Sequence, residues 1–250
     1  MKPRSSLICL ILVFIFMIGI ISNVSAYKCG TGISVGENLI WKCNLCKNSK
    51  LDNIFGGDWD ASGIFENINK GKKMKWEINN LEVNDTHIKI EFSIWLWTNE
   101  ANWGIMDNNS QMVYYSNPKD YTETLNFSNY KSFVPFWFPT PIGEYMGGLT
   151  LYKWYDVDNR VLPTLNVDIK KDDISPGYPS KDIKIIAIYN EQGVLNSYKL
   201  YIDNYVVLID ISLDTIPWYV VPTLIILTVI FSLGIIFYII RKRKRIVSGN

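Results

Sequence analysis

The sequence predicts a mainly β protein, an antiparallel β-sandwich or strongly curved sheet with one short helix, followed by a single C-terminal transmembrane α-helix. Three observations predict it. The chain is rich in Ile, Asn, Lys and Tyr and poor in Ala, a bias towards strands and away from long helices. Residues 86–97 and 183–213 contain runs in which apolar and polar side chains alternate with period two. Residues 217–240 form an uncharged apolar run that stops at Arg241-Lys242-Arg243-Lys244-Arg245.

At about 1.5 Å per residue that run is long enough to cross a hydrocarbon core of roughly 30 Å with some tilt. Trp218 and Tyr219 suit the outer interface, and the cation cluster holds the other end inside. At the N-terminus Lys2 and Arg4 precede an apolar stretch over 7–21 and then Val24-Ser25-Ala26, the pattern of a secretory signal cleaved after Ala26. An uncleaved first membrane helix is the competing reading; the short apolar core and the small-residue site count against it. The expected layout is a signal over 1–26, an outer domain over 27–216, a membrane helix over 217–240 and a short basic inner tail over 241–250. That is a single-pass type I protein of the cell membrane. The last strand is expected to end close to the bilayer. Thr228 and Ser232 have the small-xxx-small spacing of helix association, or else simply face lipid.

The outer segment holds all 24 acidic residues and 18 of the 25 basic ones, a net charge of −6. No basic face is concentrated there, which argues against nucleic acid as a partner. The inner cations serve topology and, at most, contact with anionic lipid headgroups. No repeat and no Ser-, Gly- or Pro-rich linker divides the outer segment, so one domain is expected.

The elements come in order. Residues 39–43 read as an opening strand. Residues 74–81 and 86–97 pair around Glu82-Val83-Asn84-Asp85. In the second, Ile88, Ile90, Phe92, Ile94 and Leu96 form the core face, and Trp95 and Trp97 fall opposite. Residues 112–115 make a short strand. Phe133-Val134-Pro135-Phe136-Trp137-Phe138-Pro139-Thr140-Pro141 is too rich in proline for a central strand, and is either a core-capping loop or an apolar patch for a partner or lipid. Thr140 and Pro141 resemble an N-cap and first helical residue, placing a short helix over 142–149. Residues 151–157 and 160–169 pair around Asp158-Asn159. Residues 183–189, 194–202 and 205–213 form a three-strand meander through Asn190-Glu191-Gln192-Gly193 and Asp203-Asn204. The total is about eight strands.

Several residues are candidates for chemistry. Cys29, Cys43 and Cys46 lie beyond the signal; in an exported domain the leading reading is a disulfide from Cys29 to Cys43 or Cys46. A Cys43/Cys46 redox pair, a zinc site of the three thiols with His87, and free thiols are the alternatives. Asp58, Asp60 and Ser62 with Gly63 open like a calcium loop, with Glu66 at its ninth position, but Asn69 stands where a glutamate is needed; a glycine-flanked turn explains the same residues. Trp95, Trp97 and Trp103 offer a stacking platform for a sugar or other flat ligand, against the commoner role of core packing. Asn84, Asn108 and Asn126 head glycan-acceptor triplets. With His87 the sole histidine, most triad and zinc-hydrolase arrangements are closed, and no phosphate-binding glycine loop appears. No cofactor is expected beyond the calcium and zinc options.

Gly36-Glu37-Asn38-Leu39-Ile40-Trp41 near the start and Tyr189-Asn190-Glu191-Gln192-Gly193-Val194-Leu195 near the end, set in this layout, resemble uncharacterised archaeal single-pass cell-surface proteins. The resemblance carries no catalytic residue. The expected function is a surface binding or interaction module next to the bilayer, its partner another surface or transmembrane protein or a glycan. A membrane-tethered carbohydrate-active or thiol-disulfide enzyme, or a structural envelope component, is the alternative.

Overall fold

The computed structural model describes residues 29–57, 59–99, 103–203, 205–214, 228 and 230–232. The signal, the membrane run apart from residues 228 and 230–232, the inner tail and Asp58 lie outside the described residues. Among the described residues no helix is long and apolar enough to cross a membrane.

Between the sandwich and the curved sheet, the strands form one open antiparallel sheet of nine, in the order β4-β3-β2-β1-β9-β8-β7-β6-β5. The first half is β1 (Asn38–Cys46), β2 (Lys73–Val83), β3 (His87–Thr98) and β4 (Asn108–Tyr115). The second half is β5 (Tyr155–Asp158), β6 (Thr164–Ile169), β7 (Ile183–Tyr189), β8 (Leu195–Ile202) and β9 (Val206–Leu213), and it includes the expected meander. The halves meet at β1 and β9, where Asn44 Nδ2 donates to Ser212 Oγ at 3.0 Å and the Lys47 amide to the Leu208 carbonyl at 3.0 Å.

Alternation decides the inner face as expected at first: Ile88, Ile90 and Phe92 of β3 are buried, as are Ile183, Ile185, Ala187 and Tyr189 of β7. Near the end of β3 the expectation fails. Lys75 pairs with Trp95 but Lys73 with Thr98, so β3 carries one extra residue there, a bulge. A bulge shifts the phase of everything after it. Trp97 therefore turns to the inner face, 3% exposed, while Trp95 stays outside.

The inner face is covered by chain that is not strand. Helix α1 (Asn48–Phe55) inserts Leu51 and Ile54, and the 3-10 turn Gly63–Phe65 inserts Phe65. The proline-rich segment is the core-capping loop: Phe133, Val134, Phe136, Trp137 and Phe138 are all at most 2% exposed. Its backbone is satisfied by the β7–β8 turn, with the Phe138 amide on the Gly193 carbonyl and the Leu195 amide on the Phe136 carbonyl, both at 2.9 Å. Helix α2 is Ile142–Gly148 with Pro141 rather than Thr140 at its cap, because the Thr140 backbone is engaged in a two-bond bridge to Gly30.

Ring contacts measure the curvature. Tyr114 of β4 lies 5.8 Å from Phe138, Phe138 lies 5.8 Å from Phe127, and Phe127 lies 5.5 Å from Tyr155 of β5. Two rings thus link opposite edges of a nine-stranded sheet that, laid flat at about 4.8 Å per strand, would span roughly 38 Å. The sheet is strongly curved around the capping loop.

A separate unit begins at Leu213. Within it residues 228 and 230–232 are helical, and Ser232 Oγ donates to the Thr228 carbonyl at 2.8 Å, a bond inside its own helix.

Candidate functional site

The inner face is not filled evenly. Along β4 the inward row runs Tyr114, Met112, Ser110, Asn108, from a large buried ring to small polar groups, so the core thins towards that end of the sheet. Register sets Trp76 of β2 beside Ile94 of β3 and Asn108 of β4, with Phe92 beside Ser110. A groove results, in two adjoining chambers of about 430 and 320 Å³ that share Gly63, Ile64, Trp76, Met112 and Tyr130. One wall is the 3-10 turn, pinned to the sheet by Trp97 Nε1 donating to the Ile64 carbonyl at 2.7 Å. The other is Tyr130, whose phenol is pushed up by burial and by Tyr121.

Trp76 forms the base. It is 1% exposed, stacks on Phe92 at 4.2 Å, and its indole N–H has no hydrogen-bond partner among the described residues. Such a buried donor costs about 1–3 kcal/mol when left unsatisfied. Glu66 and Asp107 line the larger chamber. Asp107 Oδ2 accepts the Leu96 amide at 2.7 Å, which fixes the bulge; no cation pairs with either carboxylate among the described residues. Asn108 is exposed at the mouth. A second cavity of about 320 Å³ between α1 and the β8–β9 face is lined by Phe55, Trp59, Phe65, Tyr178 and Leu200, and its cation, Lys131, is engaged by the Trp59 carbonyl at 2.8 Å.

The tryptophan platform is split. Trp95 and Trp103 stay together on the outer face, around Lys75, whose ammonium sits 3.5 Å over the Trp95 ring and 5.7 Å from that of Trp103 and pairs with Glu77 at 3.2 Å. Trp97 is inside, holding the groove wall. What stacks outside is therefore a side chain of the protein itself.

Asp58, the first ligand of the calcium reading, lies outside the described residues. Among the described residues no three His, Cys, Asp or Glu side chains cluster in a way that holds a metal. Of the other residues of that reading, Asp60 accepts from Asn48 Nδ2 at 3.3 Å, Ser62 caps the 3-10 turn in extended backbone, and Glu66 lines the groove. His87 contacts Asn84 and Thr86, both at 3.1 Å, at the start of β3; Cys43 and Cys46 lie beyond its other end.

The same separation removes the Cys29 staple. The Cys29 amide bonds the Ser116 carbonyl, next to Thr86, whereas Cys43 bonds Lys72, next to the Lys73–Thr98 pair. Between them runs the 12-residue β3, about 40 Å of extended chain, and a disulfide needs Cα atoms within about 7 Å. All three thiols are free. The neighbouring Cys43 thiol, burial and Asp60 push the Cys46 thiol far up; burial and Glu144 push Cys29 up. Protonated thiols are poor nucleophiles, which disfavours thiol-disulfide catalysis. Under an added oxidant, thiol mapping is expected to find Cys29 unbridged; any bridge to Cys29 would contradict this fold.

Of the glycan-acceptor residues, Asn84 has its amide nitrogen engaged by Glu82 and His87, while Asn108 and Asn126 are exposed. The groove residues Trp76, Met112, Glu66 and Asp107 carry no motif. The one signal for them is the shrinking inner row of β4, visible only once its register is known. No protein-family model matches the chain, and no curated protein and no solved structure matches it significantly.

Proposed function

We propose that this is a membrane-anchored, single-pass type I cell-surface protein whose β-rich outer domain binds a ligand in the groove over Trp76. The groove carries the reading. A mouth with polar side chains leads to an aromatic base with an unsatisfied indole donor, the composition of a site that orients a flat or apolar group, such as a sugar ring or a side chain of a neighbouring surface protein. The apolar run over 217–240 and the cations after it support the anchoring and its direction.

The test labels cysteines from outside. In a Cys46→Ser background, Met112→Cys at the groove is expected to react with a membrane-impermeant maleimide on intact cells. Ser248→Cys in the inner tail is expected to react only after the cells are permeabilised. Labelling in the opposite order would overturn the topology, and a Met112→Cys inert in both states would mean the groove is closed.

A carbohydrate-active enzyme is the second reading, favoured by two carboxylates lining one groove. Turnover of an aryl glycoside that is lost in Glu66→Gln would put it first.

A further inference from the structure

We infer that the groove over Trp76 selects an organic cation: an ammonium on an aromatic or aliphatic body that also carries a hydrogen-bond acceptor. This rests on the reading of the groove as a binding site and assigns its ligand class. Three observations converge. The larger chamber is lined by Glu66 and Asp107, and no cation lines it or pairs with either among the described residues. Two acids without counter-charge lining one chamber make an anionic ligand unfavourable and a cation favourable. The chamber is otherwise aromatic and aliphatic, with Trp76 and Phe92 stacked at its base and Tyr130 at its side. Tyr130, the exposed ring among them, offers its face to a cation, and the apolar lining buries the body attached to it. Trp76, 1% exposed, has an indole N–H without an acceptor, and its ring lines both chambers. A hydroxyl or carbonyl on the ligand supplies one.

Elsewhere the protein fills the ammonium place of such an arrangement with its own side chain, although the Trp95 indole N–H also lacks a partner among the described residues. On the outer face an ammonium lies 3.5 Å over an indole with a carboxylate at 3.2 Å, all from its own side chains Lys75, Trp95 and Glu77. In the larger chamber the indole and the carboxylates are present and the ammonium is what the ligand brings; Lys131, which lines the smaller chamber, is held by the Trp59 carbonyl at 2.8 Å. At about 430 Å³ the chamber suits a single ring with a short amine arm, not a polymer.

The experiment uses the full chain in detergent micelles, labelled with 5-fluorotryptophan, with the Trp76 fluorine resonance assigned by its loss in Trp76→Phe. Three probes share one phenol and differ in charge: tyramine, 4-(2-hydroxyethyl)phenol and 3-(4-hydroxyphenyl)propanoate. Tyramine is expected to shift the Trp76 resonance saturably and to bind at least about tenfold tighter than the neutral phenol, with the propanoate weakest, since a charge-assisted contact contributes roughly a factor of ten or more. Glu66→Gln and Asp107→Asn are each expected to weaken tyramine severalfold and leave the neutral phenol unchanged. Asparagine keeps an oxygen for the Leu96 amide, so an unshifted Trp97 resonance in Asp107→Asn verifies that the bulge is intact. Equal affinity for tyramine and the neutral phenol, or carboxylate variants that bind tyramine like the unmodified chain, would overturn the cation selectivity and leave the groove a binding site. Saturation by none of the three would overturn both.

Discussion

Phe138→Ala is expected to cost about 3–5 kcal/mol of stability, the range for removing a fully buried aromatic ring and leaving a cavity. The ring is 0% exposed and lies 5.8 Å from Tyr114, 5.8 Å from Phe127 and 5.3 Å from Tyr189. Those neighbours belong to β4, the chain leading into the capping loop and β7, so the cavity falls where the two wings of the curved sheet converge and no single wing relaxes to fill it. A native domain has only about 5–15 kcal/mol to lose. Denaturant unfolding should show the midpoint fall sharply. Trp95→Ala, on the outer face, is the comparison and should cost clearly less. A loss below about 1 kcal/mol at Phe138, under the scale of a cavity left by a large side chain, would mean that the wings do not depend on the capping loop.

The second large effect is expected at Gly193, in the β7–β8 turn. Its φ is +78°, and a Cβ there would come within 2.0 Å of the Phe138 carbonyl oxygen. The left-handed conformation alone costs a side chain about 1–2 kcal/mol. The clash is with backbone that cannot step aside, because the Phe138 amide is bonded to the Gly193 carbonyl at 2.9 Å. Gly36 separates the two contributions: its φ is +83° but nothing lies within 4 Å of its Cβ position. Gly36→Ala is expected to show the conformational cost only, and Gly193→Ala that cost plus the clash, read as the difference between their unfolding midpoints. Equal losses at the two positions would contradict the close approach of the turn to the capping loop.

The strands are legible where one face is buried and the other wet. Residues 183–189 and 198–202 alternate cleanly because every inward position there meets the core. The strand at 86–97 is legible in extent but not in phase at its end, since a bulge leaves no mark on composition and reverses the faces of the residues after it. Helix α1 escapes a sequence reading because its inward face shows only Leu51 and Ile54 in a polar surround. The prolines mark the capping loop as non-strand, but the 0% exposure of its Trp137 and Phe138 comes from the curvature of a whole sheet, which no local window contains. The groove is illegible for a related reason. Trp76, Asp107 and Glu66 are brought together by register and by a 3-10 turn between strands, whereas the residues that stand out in sequence, Trp95 and Trp97, part to opposite faces. Cys29 is close in number to Cys43 and Cys46 and far from them in space, because the chain between them passes from one end of the sheet to the other.

The pairing of β1 with β9 has a consequence for how the molecule is assembled. Asn44 and Ser212 are 168 residues apart, and the indole of Trp41 donates to a carbonyl 154 residues later, at Leu195. Contacts of such long range are slow to form, because loop closure must precede any gain from them. The first four strands can zip locally as they emerge, and so can β5 to β8, but β1 waits with an unpaired edge until the final strand arrives. A chain interrupted just before β9 would consist of two half-sheets, each with a bare edge open to pairing with a neighbour. The fold is therefore completed from its middle, and its last strand to be made is the keystone.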